Sequence, residues 1–387
     1  MSELRKETAS YSLNKKTYKF PKFPFTNGKV LFYLLLVISV YGLPVYAAYM
    51  LASAIEPVFE GAIIEPLEQV FSHTPYLIEQ VLVGDFGLFT LGMYSFLWAF
   101  PVVLFVGMSI AFTEEVGLKD KITSEITPSL RRIGLSGRDF IPVLTGYGCN
   151  VVAVLQTKSC SACTRKQCIS MISFGSACSY QIGATLSIFS VGGKPWLFIP
   201  YLFVLIIVGA LHTKLWYPSA NKAADYFYPA TPINTGSLKQ FFGKIKGTVS
   251  QFFLQAMPIF LVICIIAALL DGLGLIAKLS QMVEPVLSLL SIPAAASVGL
   301  LFSVIRKDGM LLFNQGGGEL LASITTVELF LLVYLASTLS ACLVTMWAIG
   351  KEMGFLYALK HSSKQALTSI ISAFSLLIIY KAIIFFF

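Results

Sequence analysis

The sequence predicts an all-α integral membrane protein, with about seven transmembrane helices and two interrupted, re-entrant gate segments arranged as an inverted repeat. Three observations lead there. Of the 387 residues, 56% are hydrophobic and only 12% charged, against about 25% charged in a soluble domain. The mean hydropathy of +0.77 is concentrated in runs that approach or exceed the roughly 20 apolar residues needed to cross a bilayer. The basic residues fall in short stretches between those runs, where Lys and Arg mark the cytoplasmic side. The net charge of +8 is therefore read as orientation in lipid, with no nucleic-acid partner.

The apolar runs cover 30–55, 86–112, 169–191, 196–211, 252–270, 329–349 and 367–387. The fourth is short and needs its flanking aromatics to complete a span. A basic tail, 1–28, carries Arg5, Lys6, Lys15, Lys16, Lys19 and Lys22 and is placed inside, so the N-terminus is cytoplasmic. Residues 29–85 supply the first helix and an external loop whose charges are acidic: Glu56, Glu60, Glu65, Glu68, Glu79 and Asp85. Ala52-Ser53-Ala54 resembles a leader cleavage site, but the apolar run before it exceeds the 7–15 residues of a signal-peptide core. A retained helix is expected.

A first repeat, 86–213, returns inside at Glu114-Glu115 and continues through Lys119, Lys121, Arg131, Arg132 and Arg138. The next apolar stretch, 141–157, is interrupted by Pro142, Gly146, Gly148, Cys149 and Asn150, and is followed by Lys158, Arg165 and Lys166. With basic residues at both ends it dips in and returns. Non-helical backbone at membrane depth survives only inside protein or against a wet cavity, which marks the break as a site. A basic loop, 214–248, precedes a second repeat, 249–387, interrupted at Ser303-Val304-Ile305-Arg306-Lys307-Asp308-Gly309. Lys351, Lys360 and Lys364 follow the sixth helix inside, and the C-terminus is expected outside.

Gly146 and Gly148 let the chain leave the helix and expose carbonyls beside Cys149, and Asn150 adds an amide oxygen. A thiol, an amide and free carbonyls suit a transient site for a divalent transition metal; the alternative is a close GxG packing contact with cysteine as filler. Two carboxylates at a helix C-terminus, Glu114 and Glu115, oppose the dipole and call for water or a cation. Asp308 is either a functional intramembrane charge or the partner of Arg306 and Lys307. Cys160-Ser161-Ala162-Cys163, with Cys168 five residues on, can relay a soft metal, respond to redox state or be ordinary surface cysteine. His73, His212 and His361 are scattered and suggest no cluster. No GxxxxGK[ST] loop, HExxH or GxSxG occurs, so neither nucleotide hydrolysis nor an enzyme of those classes is encoded here.

The stretch 134–151, from Gly134-Leu135-Ser136-Gly137-Arg138 to Gly146-Tyr147-Gly148-Cys149-Asn150-Val151, resembles the first gate of the ferrous iron transporter B (FeoB) family. The resemblance extends through Cys178-Ser179, through Ser340-Ala341-Cys342 and through Lys351-Glu352-Met353-Gly354, while Arg306-Lys307-Asp308-Gly309 resembles the second gate more distantly. It runs from about residue 85 to the C-terminus. It implies Cys149, Cys178 and Cys342 as pathway thiols, Ser179 beside them, and Glu114 at the acidic position closing the preceding helix. Departures are Val151-Val152-Ala153, where the family has Val-Pro-Ala, and Tyr180-Gln181-Ile182-Gly183 after Cys178-Ser179. The family's N-terminal GTP-binding domain is not found here; a basic tail and an extra helix stand in its place.

The expected function is a permease for a divalent metal, with Fe2+ as the transported ion and no permanently bound cofactor. A separate GTPase or accessory protein and a homo-oligomer are the expected partners, in the cytoplasmic membrane. Two alternatives stay open. One is a transporter of a nucleoside-like polar solute read by Asn150, Gln181 and Asp308; the other is a membrane regulator that has lost transport.

Overall fold

The computed structural model describes residues 32, 35–84, 87–118, 121, 122, 135, 139–160, 164–218, 237–314 and 318–386. The basic tail, Arg131, Arg132, Arg138 and Cys163 lie outside them. Among the described residues every regular element is helical. The elements that position the site are α1 (Leu43–Phe59), α2 (Leu91–Glu115), α3 (Phe140–Gly146), α4 (Asn150–Gln156), α5 (Arg165–Ser170), α6 (Ser179–Val191), α7 (Phe198–Trp216), α8 (Leu238–Gln251), α9 (Met257–Gly272), α10 (Ser297–Ile305), α11 (Thr326–Thr338), α12 (Leu343–Met353) and α13 (Phe355–Phe386).

Four described helical stretches are long and apolar enough to cross a membrane: Leu35–Phe71, Pro195–Trp216, Thr326–Met353 and Phe355–Ile383. The run at 196–211, short by its sequence, gains its length by continuing to Trp216. The α2 helix is 25 residues long and uncharged until Glu114. Large apolar side chains such as Phe203, Leu215, Leu254, Leu356 and Ile378 are exposed, a lipid-facing surface rather than a set of docking patches. By contrast α11 is buried on all sides, from Leu331 through Thr338 without interruption.

Two expectations are corrected. Residues 56–71, read as external loop, continue the first helix, because Pro57 is absorbed within α1 and a π-helical turn at Glu60–Ile64 follows. The 37-residue stretch is about 55 Å long at 1.5 Å per residue, nearly twice the hydrocarbon thickness. Its end carrying Glu60, Glu65 and Glu68 can therefore stand clear of lipid. The run 169–191, read as one span, is α5, a π-helical turn at Met171–Gly175, an extended stretch at Ser176, Ala177 and Cys178, and then α6. The run 329–349 lies within the membrane-capable stretch Thr326–Met353, whose helix is interrupted between Thr338 and Leu343, giving α11 and α12. Hydropathy stays high across both breaks, so run length alone hides them.

The two halves share contacts. Helix α4, after the first break, packs on α12, and α6 packs on the 3-10 segment Lys307–Asn314. An ion-pair network reinforces this junction. Glu352 accepts from Arg165 at 2.7 Å and pairs with Lys158 at 2.9 Å, joining the segment after the first break to the end of α12. Gly354 follows at φ +93°, a region that favours glycine, and turns the chain from α12 into α13.

Candidate functional site

The break at 146–150 is a helix–turn–helix in which Cys149 is extended, φ −147° and ψ 114°. Gly146 is required by close approach. A Cβ on Gly146 would lie 2.9 Å from the Ser176 Cβ and 3.0 Å from its Oγ. Around that contact Ser176 Oγ donates to the Val143 carbonyl at 3.1 Å, and the Tyr147 hydroxyl donates to the Gly175 carbonyl at 3.1 Å. The Ser179 N–H donates to the Gly148 carbonyl at 3.0 Å, fastening the start of α6 to the first break.

The second expected break is also present. Helix α10 ends at Ile305, Arg306 is extended at φ −147° and ψ 139°, and a 3-10 segment, Lys307–Asn314, follows. Arg306 thus repeats the backbone conformation of Cys149. Likewise Cys178 (φ −68°, ψ 166°) and Cys342 (φ −60°, ψ 154°) share a conformation, each directly before a helix. The breaks therefore come as two conformationally matched pairs.

All three resemblance-derived cysteines stand immediately before a helix: Cys149 before α4, Cys178 before α6 and Cys342 before α12. The three thiols lie close enough to interact electrostatically, and Lys307 is near both Cys178 and Cys342. The Cys342 sulfur and the Thr345 hydroxyl are 3.1 Å apart. The sulfurs do not gather into one coordination sphere. Among the described residues, the group whose ligand atoms do so is Asp139, Cys160 and Cys168.

Two oxygens next to the thiols lack partners. Asn150 Oδ1 and Ser179 Oγ are buried and without a hydrogen bond, and each follows a candidate cysteine directly. Such groups are costly unless something visits them. A small cleft opens beside Cys149, lined by Val103, Val106, Gly148, Val152 and Thr248 among others.

The carbonyls freed by the breaks are capped from other helices. Gln365 on α13 donates from one Nε2 to the Ser173 carbonyl at 3.1 Å and to the Thr338 carbonyl at 3.0 Å. Buried Lys307 donates to the Ala336 carbonyl at 3.0 Å. Neither Gln365 nor this use of Lys307 carries a sequence signal. Gln181 does not face an open site; its Nε2 donates to the Tyr201 hydroxyl, which donates to Ser337, both at 2.6 Å.

Glu114 and Glu115 find their cation in Lys244, at 3.2 and 2.7 Å. The Lys244 hydrogen bond holds the Glu115 carboxyl below its usual range. Asp308 falls on the 3-10 segment Lys307–Asn314, with its side chain outside the description. The scattered histidines are also corrected: His212 and His361 meet with ring centroids 6.2 Å apart. His361 lies 2.6 Å from Ser173 Oγ and 2.8 Å from the Tyr217 hydroxyl, because α7 and α13 pack together.

Comparison with known proteins converges on this region. Residues 96–192 match the Gate family model, described as nucleoside recognition. The Fe(2+) transporter FeoB of Synechocystis is 23% identical over 299 residues, covering 70% of this chain and 48% of that protein. The FeoB of Escherichia coli K12 is 23% identical over 235 residues, covering 54% and 30%, and that of Legionella pneumophila is 20% identical over 258 residues, covering 61% and 34%. The chain thus spans about half or less of the length of these relatives. No solved structure matches it. Residues 96–192 are thus similar to the Gate domain, and the chain resembles the FeoB ferrous iron transporters over part of their length.

Proposed function

We propose that this chain is a membrane permease for a divalent transition metal, with ferrous iron as its substrate. The observation that carries the reading is the pairing of Cys149 with Asn150 and of Cys178 with Ser179. In each, a thiol is followed by a buried oxygen without a partner, and the two breaks are joined through Gly148 and Ser179. Thiol and neutral oxygen together make a set of intermediate softness that suits Fe2+ better than Mg2+ or Ca2+. Sulfurs spread along a path, rather than closed around an ion, suit passage rather than storage. The matched backbone angles of Cys149 with Arg306, and of Cys178 with Cys342, support an inverted repeat with 86–213 and 249–387 as its halves. In this arrangement Cys342 completes the path. Glu114 belongs to a tether formed with Lys244. The N-terminus is cytoplasmic, the C-terminus external, and energy comes from a separate GTPase or accessory protein.

Lys307 gives the path a resident positive charge, which an entering metal must displace. The same residue, with buried Arg306, favours a second reading in which the substrate is a polar solute bearing negative charge. Uptake by proteoliposomes across Fe2+, Co2+, Zn2+ and nucleosides separates the two. The first reading expects metal uptake that falls sharply in Cys149→Ala; nucleoside uptake without metal uptake would replace it with the second.

A further inference from the structure

The expected cluster at 160–168 acquires a member that the sequence did not suggest. Asp139, directly before α3, is fully buried, and its carboxylate lies with the thiols of Cys160 and Cys168 so that all three ligand atoms fall within 4.8 Å of one another. The two sulfurs are 3.2 Å apart, and Cys168 Sγ lies 3.8 Å from the Asp139 carbonyl. Thr164 donates to Asp139 Oδ1 at 3.0 Å, which fixes the carboxylate beside the two thiols.

We propose that Asp139, Cys160 and Cys168 form a second metal site, separate from the transport thiols, for a borderline-soft divalent ion of the Zn2+ or Fe2+ type. Two sulfurs and a carboxylate are a donor set that such ions accept. In a tetrahedral site with metal–sulfur bonds of about 2.3 Å, the sulfurs stand roughly 3.8 Å apart, so loading opens the present contact by about half an ångström. Binding releases the two thiol protons to water as two metal–sulfur bonds form. The divalent charge, with the guanidinium of neighbouring Arg165, then balances two thiolates and one carboxylate. The fourth position belongs to water. Because Asp139 starts α3 and Cys168 lies on α5, which leads to Cys178, an ion here clamps together the segments carrying the first two breaks. Its occupancy thereby ties the metal supply to the stiffness of the path.

The test is Co2+ titration of the purified full chain, read by its thiolate-to-cobalt charge-transfer absorption. In Cys149→Ser/Cys178→Ser/Cys342→Ser the band persists at about one equivalent, and adding Cys160→Ser/Cys168→Ser abolishes it. Asp139→Asn keeps its size and can still accept from Thr164, so it serves as the folded control; it weakens binding at least tenfold. A band that survives Cys160→Ser/Cys168→Ser, vanishes with the three transport thiols, or keeps its affinity in Asp139→Asn overturns the proposal.

Discussion

Gln365 caps two broken helices at once, so Gln365→Met should loosen both. The substitution keeps the side-chain volume and removes the Nε2 donor to Ser173 and Thr338. Each buried carbonyl left without a donor costs about 1–3 kcal/mol, or about 2–6 kcal/mol together. Part of that is returned, because Gln365 Oε1 itself has no partner and burying a sulfur in its place is cheaper. The net loss expected is about 1–3 kcal/mol. At the few degrees per kcal/mol of large domains, the apparent Tm in detergent should fall by about 2–8 °C at fixed scan rate. The loosening should be local as well. Cys178, which follows one capped segment, and Cys342, which follows the other, should react faster with maleimide, while buried Cys264 should not. Ser375→Ala, exposed on the same helix, is the control and should stay within about 0.5 kcal/mol. Unchanged melting together with unchanged labelling of Cys178 and Cys342 would refute the assignment of Gln365 as a shared cap.

Other outcomes follow from the same geometry. Gly146→Ala forces a Cβ to 2.9 Å from Ser176 and should cost about 1–3 kcal/mol by overpacking, read as a lower Tm than Gly247→Ala, where nothing lies within 4 Å. Lys307→Gln removes the resident charge beside Cys178 and Cys342; unit charges near contact at an effective dielectric of about 20 interact by a few kcal/mol, so Co2+ affinity should rise at least tenfold, and a fall would favour the anionic solute. The Lys244–Glu115 contact has a depressed carboxylate, so its contribution is complete above the ordinary value of 4.5 and is lost as pH falls through the lower folded value. The protection of α8 amides, relative to the intrinsic exchange rate at each pH, should therefore be flat through neutral pH and fall only in acid; a loss of protection between pH 6 and 8 would contradict the tether.

The first break was legible because Gly146 and Gly148 stand just before Cys149 and basic residues flank the segment on both sides. Glu114 and Glu115 also announced their need for a cation, though not that Lys244 supplies it. The breaks before Cys178 and Cys342 were hidden for a physical reason. Their residues, Ser176-Ala177-Cys178 and Ser340-Ala341-Cys342, are small and neither glycine nor proline, so hydropathy passes over them. Their freed carbonyls are satisfied by Gln365 and Lys307, far away in sequence, and such partners are set by tertiary packing. Asp139 escaped notice for the same reason, standing 21 residues before Cys160 in a segment read for its resemblance to a gate.

Fe2+ uptake into proteoliposomes, compared between the unsubstituted chain and Cys149→Ala, Cys178→Ala and Cys342→Ala, tests the central claim most directly. The account predicts saturable uptake by the unsubstituted protein and a loss of at least tenfold in each variant, with monodispersity in detergent retained. Uptake that is equal in all four proteins would contradict a thiol-lined metal path.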